Sequence, residues 1–261
     1  MRKFIHPIAI AAIAIFVISS CSKDKQAQVM DEIPQETIAK IAQLGYGTSS
    51  IQKIDEGYLV EGDIILTAKN LNETSNSPVL RVANVEQYRT TNLVTSIPRT
   101  ITVSTSSNNT NLSNAINAAI ARYNAEGLQL TFQRVTSGGN INIRVVNTNQ
   151  YIASAGFPSG GNPYYEVKYS KTYLNYSANF MTTVLAHEIG HCIGFRHTDY
   201  MDRSYSCGGA TANEGASTVG AINIPGTPTV ADPNSWMLAC LSANTNRPFN
   251  ANDKVALNYL Y

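Results

Sequence analysis

A chain of 261 residues can hold one ordinary domain with something smaller beside it, and 43% apolar residues is too many for general disorder. The formal net charge is +1 with no basic run, which leaves no argument for nucleic acid or an acidic polymer as the main partner. Only 14% of residues are charged, so the polar surface falls to Asn, Ser and Thr, a composition suited to an extracellular setting.

The chain opens with Arg2 and Lys3, then an apolar run through residues 8–18 that is too short to span a bilayer comfortably. The run ends in Ile18-Ser19-Ser20-Cys21, which resembles a bacterial lipobox, whose cysteine is lipidated and becomes the new N-terminus. The alternative is an ordinary secretory signal with a chance cysteine; the position, flanks and small residues favour lipid on Cys21. Ser22, in place of Asp, favours the outer membrane of the cell envelope.

A short amphipathic helix is expected over 32–44, with Ile33, Ile38, Ile41 and Leu44 on one face. Strand pieces follow over 51–67 around a turn at Glu61-Gly62-Asp63, then an Asn- and Ser-rich loop over 70–78. From Ile97 the pattern is that of an α/β domain. A strand is expected over 100–103, a helix over 112–126 stopped by Gly127, and strands over 128–135 and 141–146. An edge strand over 164–169 leads to a second helix over 178–192 capped by Ser177. A long Gly-, Asn- and Pro-rich stretch precedes a last helix over 252–260. The expected sheet is mainly parallel, with an antiparallel edge strand and two long helices behind it.

With Cys21 given to lipid, Cys192, Cys207 and Cys240 allow three pairings. Cys192 falls in a helix, as a small apolar residue can. Cys207 and Cys240 flank the irregular stretch, where a staple helps most, and are the preferred disulfide.

His187-Glu188-Ile189-Gly190-His191 puts two imidazoles one helical turn apart, able to reach one Zn²⁺, with Glu188 beside the first to hold and deprotonate a water. Gly194 can end the helix in a left-handed conformation and swing His197 back to the same metal. Three neutral nitrogen ligands leave a fourth position open, the mark of a catalytic zinc site.

HEIGHCIGFRH carries the metzincin signature, and with Thr198 and Asp199 it resembles the dual-action HEIGH metallopeptidases in particular. The resemblance implies a zincin-type α/β fold, a zinc endopeptidase acting on peptide or protein as a monomer, and a methionine turn beneath the zinc, matched by Met237 in Ser235-Trp236-Met237. Astacins, a sister family, carry Glu after the third histidine and Tyr two residues after the turn methionine. Thr198 and Ala239 stand there in this chain, so an assisting tyrosine has to come from elsewhere, Tyr200 or Tyr205 being candidates. Val60-Glu61-Gly62-Asp63 is similar to the Phe-x-Gly-Asp motif of astacin propeptides, which implies that Asp63 blocks the zinc; an ordinary Gly-Asp turn is the other reading.

The expected organisation is a lipoprotein signal peptide at 1–20, a lipid-tethered propeptide and linker at 21–95, and a catalytic domain at 96–261. Activation is expected to cut at Arg81, Arg89 or Arg99, with Arg89 preferred, and to free the catalytic domain from its lipid. The rival functions are a surface-anchored binding lipoprotein with a vestigial zinc site, which the intact Glu188 argues against, and a zinc amidase on a non-protein substrate.

Overall fold

Proline suits the entry to a helix because it has no amide to leave unpaired, and α1 (Gln35–Gln43) begins directly after Pro34. The computed structural model describes residues 33–44, 46–72, 87–211, 213–214, 221–228 and 231–261. Cys21, the signal segment 1–20 and Arg81 lie outside the described residues. Among the described residues no helix is long and apolar enough to cross a membrane.

Strands β1 (Gln52–Ile54), β2 (Gly57–Val60) and β3 (Ile64–Leu66) form an antiparallel sheet whose second turn is 61–63. Ile41, Leu44, Tyr46, Val60, Ile64, Leu66 and Phe157 make a small apolar cluster of their own around it. A helix, α2 (Ala68–Asn72), stands where the sequence suggested a loop. Thr67 and Asn70 explain it: the Thr67 amide donates to Asn70 Oδ1 at 3.0 Å, and the Asn70 amide donates to Thr67 Oγ1 at 3.3 Å.

Strand β4 (Tyr88–Arg89) pairs far along the chain, with β10 (Ile222–Asn223). The amide of Thr90 donates to Gly194 O, and that of Arg196 to Tyr88 O. Gln87 is fully buried and donates to Ser235 Oγ and Asp253 Oδ1. Residues 87–90 are therefore bonded into the body that carries the histidines.

The main sheet contains β5 (Arg99–Ser104), β6 (Leu130–Arg134), β7 (Ile141–Val146), β8 (Ala153–Ser154) and β9 (Glu166–Ser170), in the order β6-β5-β7-β9-β8. All pairs are parallel except β8 with β9. The antiparallel edge strand exists, but it is β8 and not 164–169. β9 is flanked on both sides and buried along its length, as a run of Val167, Tyr169 and the stem of Lys168 requires.

Helices α3 (Thr110–Asn124) and α4 (Ala178–Ile193) pack together in the core against the sheet. Asn109 caps α3 by accepting from the Leu112 amide, so this helix begins earlier than its apolar spacing suggests. Ser177 caps α4 by accepting from Phe180. From Phe180 to Ile193 every residue of α4 is buried, because partners cover it on all sides. Among the described residues, the irregular stretch holds the short helix α5 (Ser204–Cys207) and β10, and ends in α6 (Ala251–Leu260), which Asn250 and Asp253 open with a reciprocal capping box.

Cys207 and Cys240 are joined by a disulfide across 33 positions, and Cys192 is a buried free thiol. Closing a loop of that length removes unfolded-state entropy worth about 3–4 kcal/mol. Replacing both cysteines by serine is expected to lower unfolding free energy by about that amount, read by denaturant titration; an unchanged midpoint would show that the loop is held by its other bonds.

Candidate metal centre

Two histidines one turn apart on α4 project from the same face, and Gly194 ends the helix with φ of 110°, a conformation only glycine adopts without strain. Space is as tight as the dihedral: a Cβ on Gly194 would stand 2.7 Å from Leu93 Cδ2. The reversal returns the chain through Phe195 and Arg196, so that His197 faces His187 and His191. The Nε2 atoms of His187 and His191 lie 3.0 Å apart, and those of His191 and His197 lie 3.2 Å apart.

The other ring nitrogens decide what these Nε2 atoms can do. His187 Nδ1 is 2.8 Å from Trp236 O, and His191 Nδ1 is 2.8 Å from Phe195 O. A carbonyl only accepts, so each Nδ1 must carry the proton and each Nε2 a lone pair. His197 Nδ1 lies 3.0 Å from Glu214 Oε1, which likewise makes it the donor. Three buried Nε2 atoms, each a lone-pair donor when its ring is neutral, thus converge on one point. Burial works against a charge on His197, but the Asp63 and Glu214 carboxylates outweigh it and hold that ring well above the usual imidazole range. Zn–N bonds of about 2.0–2.1 Å set tetrahedral nitrogens roughly 3.3 Å apart, close to the spacings found. The donor set fits zinc, and Asp63 completes a four-residue group able to hold a metal.

Asp63 comes from the turn between β2 and β3. Its Oδ2 is 3.2 Å from His197 Nε2 and 3.6 Å from His187 Nε2. Burial works against its charge, yet His197 and His187 outweigh that and hold its carboxyl well below the usual range. The backbone on either side is fixed to the main sheet's edge: Ala155 donates to Asp63 O at 2.8 Å and accepts from the Ile65 amide at 2.7 Å. Residues 63–65 therefore occupy the rim just past β8, running parallel to it at Ala155.

Glu188 is buried, and its Oε2 has no hydrogen-bond partner among the described residues. Burial first, and then the neighbouring Asp63 carboxylate, hold its carboxyl well above the usual range. His191 is driven well below the usual imidazole range by burial and by the other two rings, in keeping with a neutral ligand. Beside His187 and Glu188 lies a cleft of about 290 Å³, walled by Val184, Leu238, Leu241 and Tyr151, with Arg247 among its lining.

Met237 is fully buried beneath the site. A Cβ on Gly190 would stand 2.7 Å from Met237 Sδ and 3.2 Å from Trp236 Nε1, so glycine inside the HEIGH string is what lets 236–237 approach α4. The Met237 carbonyl accepts from Thr198, and Asp199 accepts from the Ala239 amide at 2.9 Å. Asp199 thus ties the segment after His197 to the segment after Met237.

The tyrosines suggested by sequence are not aimed at the histidines. Tyr205 donates to Ala231 O, and the Tyr200 ring packs edge-on against Tyr88 and beside Arg196. Tyr151, which nothing in the sequence singled out, lines the cleft instead. Glu214 was equally invisible, lying 17 positions from His197 in an irregular stretch. Arg203 Nε meets its Oε1 at 3.0 Å and Arg196 Nη2 its Oε2 at 3.8 Å.

A carboxylate behind a ligating imidazole fixes the tautomer and strengthens the ligand, and losing one typically costs 10–100-fold in metal affinity. Glu214→Gln keeps an acceptor for Nδ1 but loses the charge. It is expected to weaken zinc binding by about tenfold or more, read by competition with a chelator; unchanged affinity would reduce Glu214 to a structural ion pair.

A family model described as the dual-action HEIGH metallo-peptidase matches residues 58–261. No curated protein sequence matches the chain. Two solved structures of myroilysin resemble it. One shares 19% identity over 42% of this chain, with a TM-score of 0.33, and the match spans 54% of that protein's chain. The other shares 15% over 74% of this chain and 95% of its own, with a TM-score of 0.40. Neither likeness is close enough to carry a residue role across.

Proposed function

The chain belongs to the dual-action HEIGH metallopeptidase family, and from that membership we propose a zinc endopeptidase of the metzincin type, made as a lipid-anchored zymogen that Asp63 holds inactive. The observation that carries this reading is the seat of Asp63 Oδ2, against the point where three histidine lone pairs converge. His187, His191 and His197 are the proposed ligands, and Gly194 with Met237 supports the metzincin assignment.

When bound, zinc supplies Lewis acidity, both to polarise the scissile carbonyl and to make an attacking water acidic. Glu188 takes the proton of that water and passes it to the leaving amine. The carboxylate of Asp63, so close, raises Glu188 and opposes that role; its departure removes one cause of the raised pKa. The edge at Ala153–Ala155 is the proposed rail for the substrate backbone, and residues 63–65 hold it in the zymogen.

A cut at Arg89 would fall within β4, whose bonds to Ile222, Phe195 and Arg196 hold the C-terminal end of α4. We therefore place the activating cut between Asn72 and Gln87, in the segment that contains Arg81, and assign residues 87–95 to the active enzyme.

Casein hydrolysis tests the peptidase. Protein starting at Ser22 is expected to be nearly silent until a limited tryptic nick, and active after it, with Glu188→Ala reducing the nicked rate by at least about 10²-fold. Asp63→Ala should be active without the nick; silence in that variant while nicked wild type cleaves would remove Asp63 from the inhibitory role. For the anchor, support comes from the sequence 18–22 alone. Mass spectrometry of the membrane fraction is expected to find a diacylglyceryl group on Cys21, and an unmodified mature N-terminus would leave the protein secreted but unanchored.

A further inference from the structure

Among the described residues, the N-terminal segment brings three carboxylates to the rest of the chain, and each meets cationic chemistry. Asp63 lies on the imidazoles. Glu56 pairs with Lys168 and, at 2.9 Å, with Arg144 on the main sheet. Glu61 is fully enclosed and takes Arg196 Nη2 on both oxygens, at 2.8 and 3.0 Å. Asp63 sits at the metal point itself; Glu61 lies beside a second cavity and, through Glu214, next to His197.

Arg196 is itself fully buried, its guanidinium 5.4 Å from the Tyr46 ring and 5.5 Å from the Tyr200 ring. Tyr46 and Glu61 belong to the segment that activation removes; Tyr200, Arg203 and Glu214 remain. Departure of that segment takes a carboxylate and an aromatic cover from Arg196. Burial pushes Glu61 up to about 8, with Arg196 opposing and Glu214 adding to the rise. Of the four ionisable groups described here, its departure leaves two guanidiniums, Arg196 and Arg203, with the one carboxylate of Glu214. A cavity of about 290 Å³ already opens beside Glu61, with Gly47, Ser49 and Ser50 of the departing segment on one side and Arg203, Ser204, Asn213 and Glu214 on the other. Arg196 lies behind Glu61 and comes into reach where the Glu61 side chain now sits. One imidazole separates this place from the reaction: His197 turns Nε2 to Asp63 and Nδ1 to Glu214.

We propose that Arg196, assisted by Arg203, forms a substrate subsite that selects an Asp or Glu side chain close to the scissile bond, and that Glu61 fills this subsite in the zymogen. The fork geometry of arginine suits the two charged oxygens of a carboxylate better than the single acceptor oxygen of an amide isostere. The proposal deepens the peptidase reading and rests on its zymogen part. The near-zero net charge gives no hint of such a preference, because the selecting charge is local and covered.

The test is a cleavage profile of nicked, zinc-loaded protein on a mixed peptide library, followed by a peptide pair differing only in Glu against Gln at the enriched position. Enrichment of Asp and Glu at one position is expected, with kcat/KM for the Glu peptide higher by about tenfold or more, the size of one charged hydrogen bond. Arg196→Gln should level the pair. Equal cleavage of the pair by wild type overturns the proposal while leaving the peptidase intact.

Binding gives a second measurement, which stands even if Arg196→Gln fails to fold or no library peptide is cut. A synthetic peptide of residues 58–66 is titrated into nicked protein by calorimetry, beside the same peptide with Glu61→Gln. Binding weaker by about tenfold or more for the Gln form supports the subsite, and equal binding overturns it. Failure of all cleavage would count against the peptidase reading alone.

Discussion

Three imidazole nitrogens cannot face one another across about 3 Å in a dry pocket as lone pairs alone; a metal ion or a proton has to lie among them. Much of the architecture around α4 reads as what is needed to create that situation and to meet it. Each ring is pinned from behind by an acceptor, so no rotation or tautomer change relieves the repulsion. Two of those acceptors are backbone carbonyls, of Trp236 and Phe195, and the third is the carboxylate of Glu214. The chain thereby commits a helix, its terminal reversal, the turn at 235–237 and a distant irregular loop to one atom-sized point.

The packing below that point is equally constrained. Gly190 leaves no Cβ, and Met237 and Trp236 close onto the helix in the space it vacates. Trp236 presents its carbonyl to His187 and donates its ring nitrogen to Ala186 O, so one residue both supports the helix and orients a ligand. Ser235 and the Trp236 amide rest on Asp253, the same residue that caps α6 and holds Gln87. The metal centre, the last helix and the strand at 88–89 therefore share a single polar anchor, through which residues 87–90 are bonded to the elements that carry the histidines.

Above the point, the fit of the N-terminal segment is electrostatic as much as apolar. Its small cluster adds Phe157 from the main body and little else, while its carboxylates meet Lys168, Arg144, Arg196 and the histidines. Backbone bonds at Ala155 align the segment along the sheet edge and charge fixes its register there.

The sequence by itself determined the local elements and the metal chemistry. The i, i+4 pair, Gly194 and His197 are tied together by helical geometry and one left-handed glycine, all within eleven positions, so their meeting needs no knowledge of the fold. The helices at 110–124 and 178–193 and the strand at 141–146 were equally legible from apolar spacing. Sheet order was not. Nothing local distinguishes β9, flanked on both sides, from an edge strand, and the true edge is two residues long. Glu214, Tyr151 and Arg196 were silent for the same reason: their roles arise from contacts between segments far apart in the chain, in stretches without periodicity. Side-chain type and spacing can specify which residues would hold a metal. Only tertiary packing decides which charges face it, because burial and pairing are properties of the assembled fold.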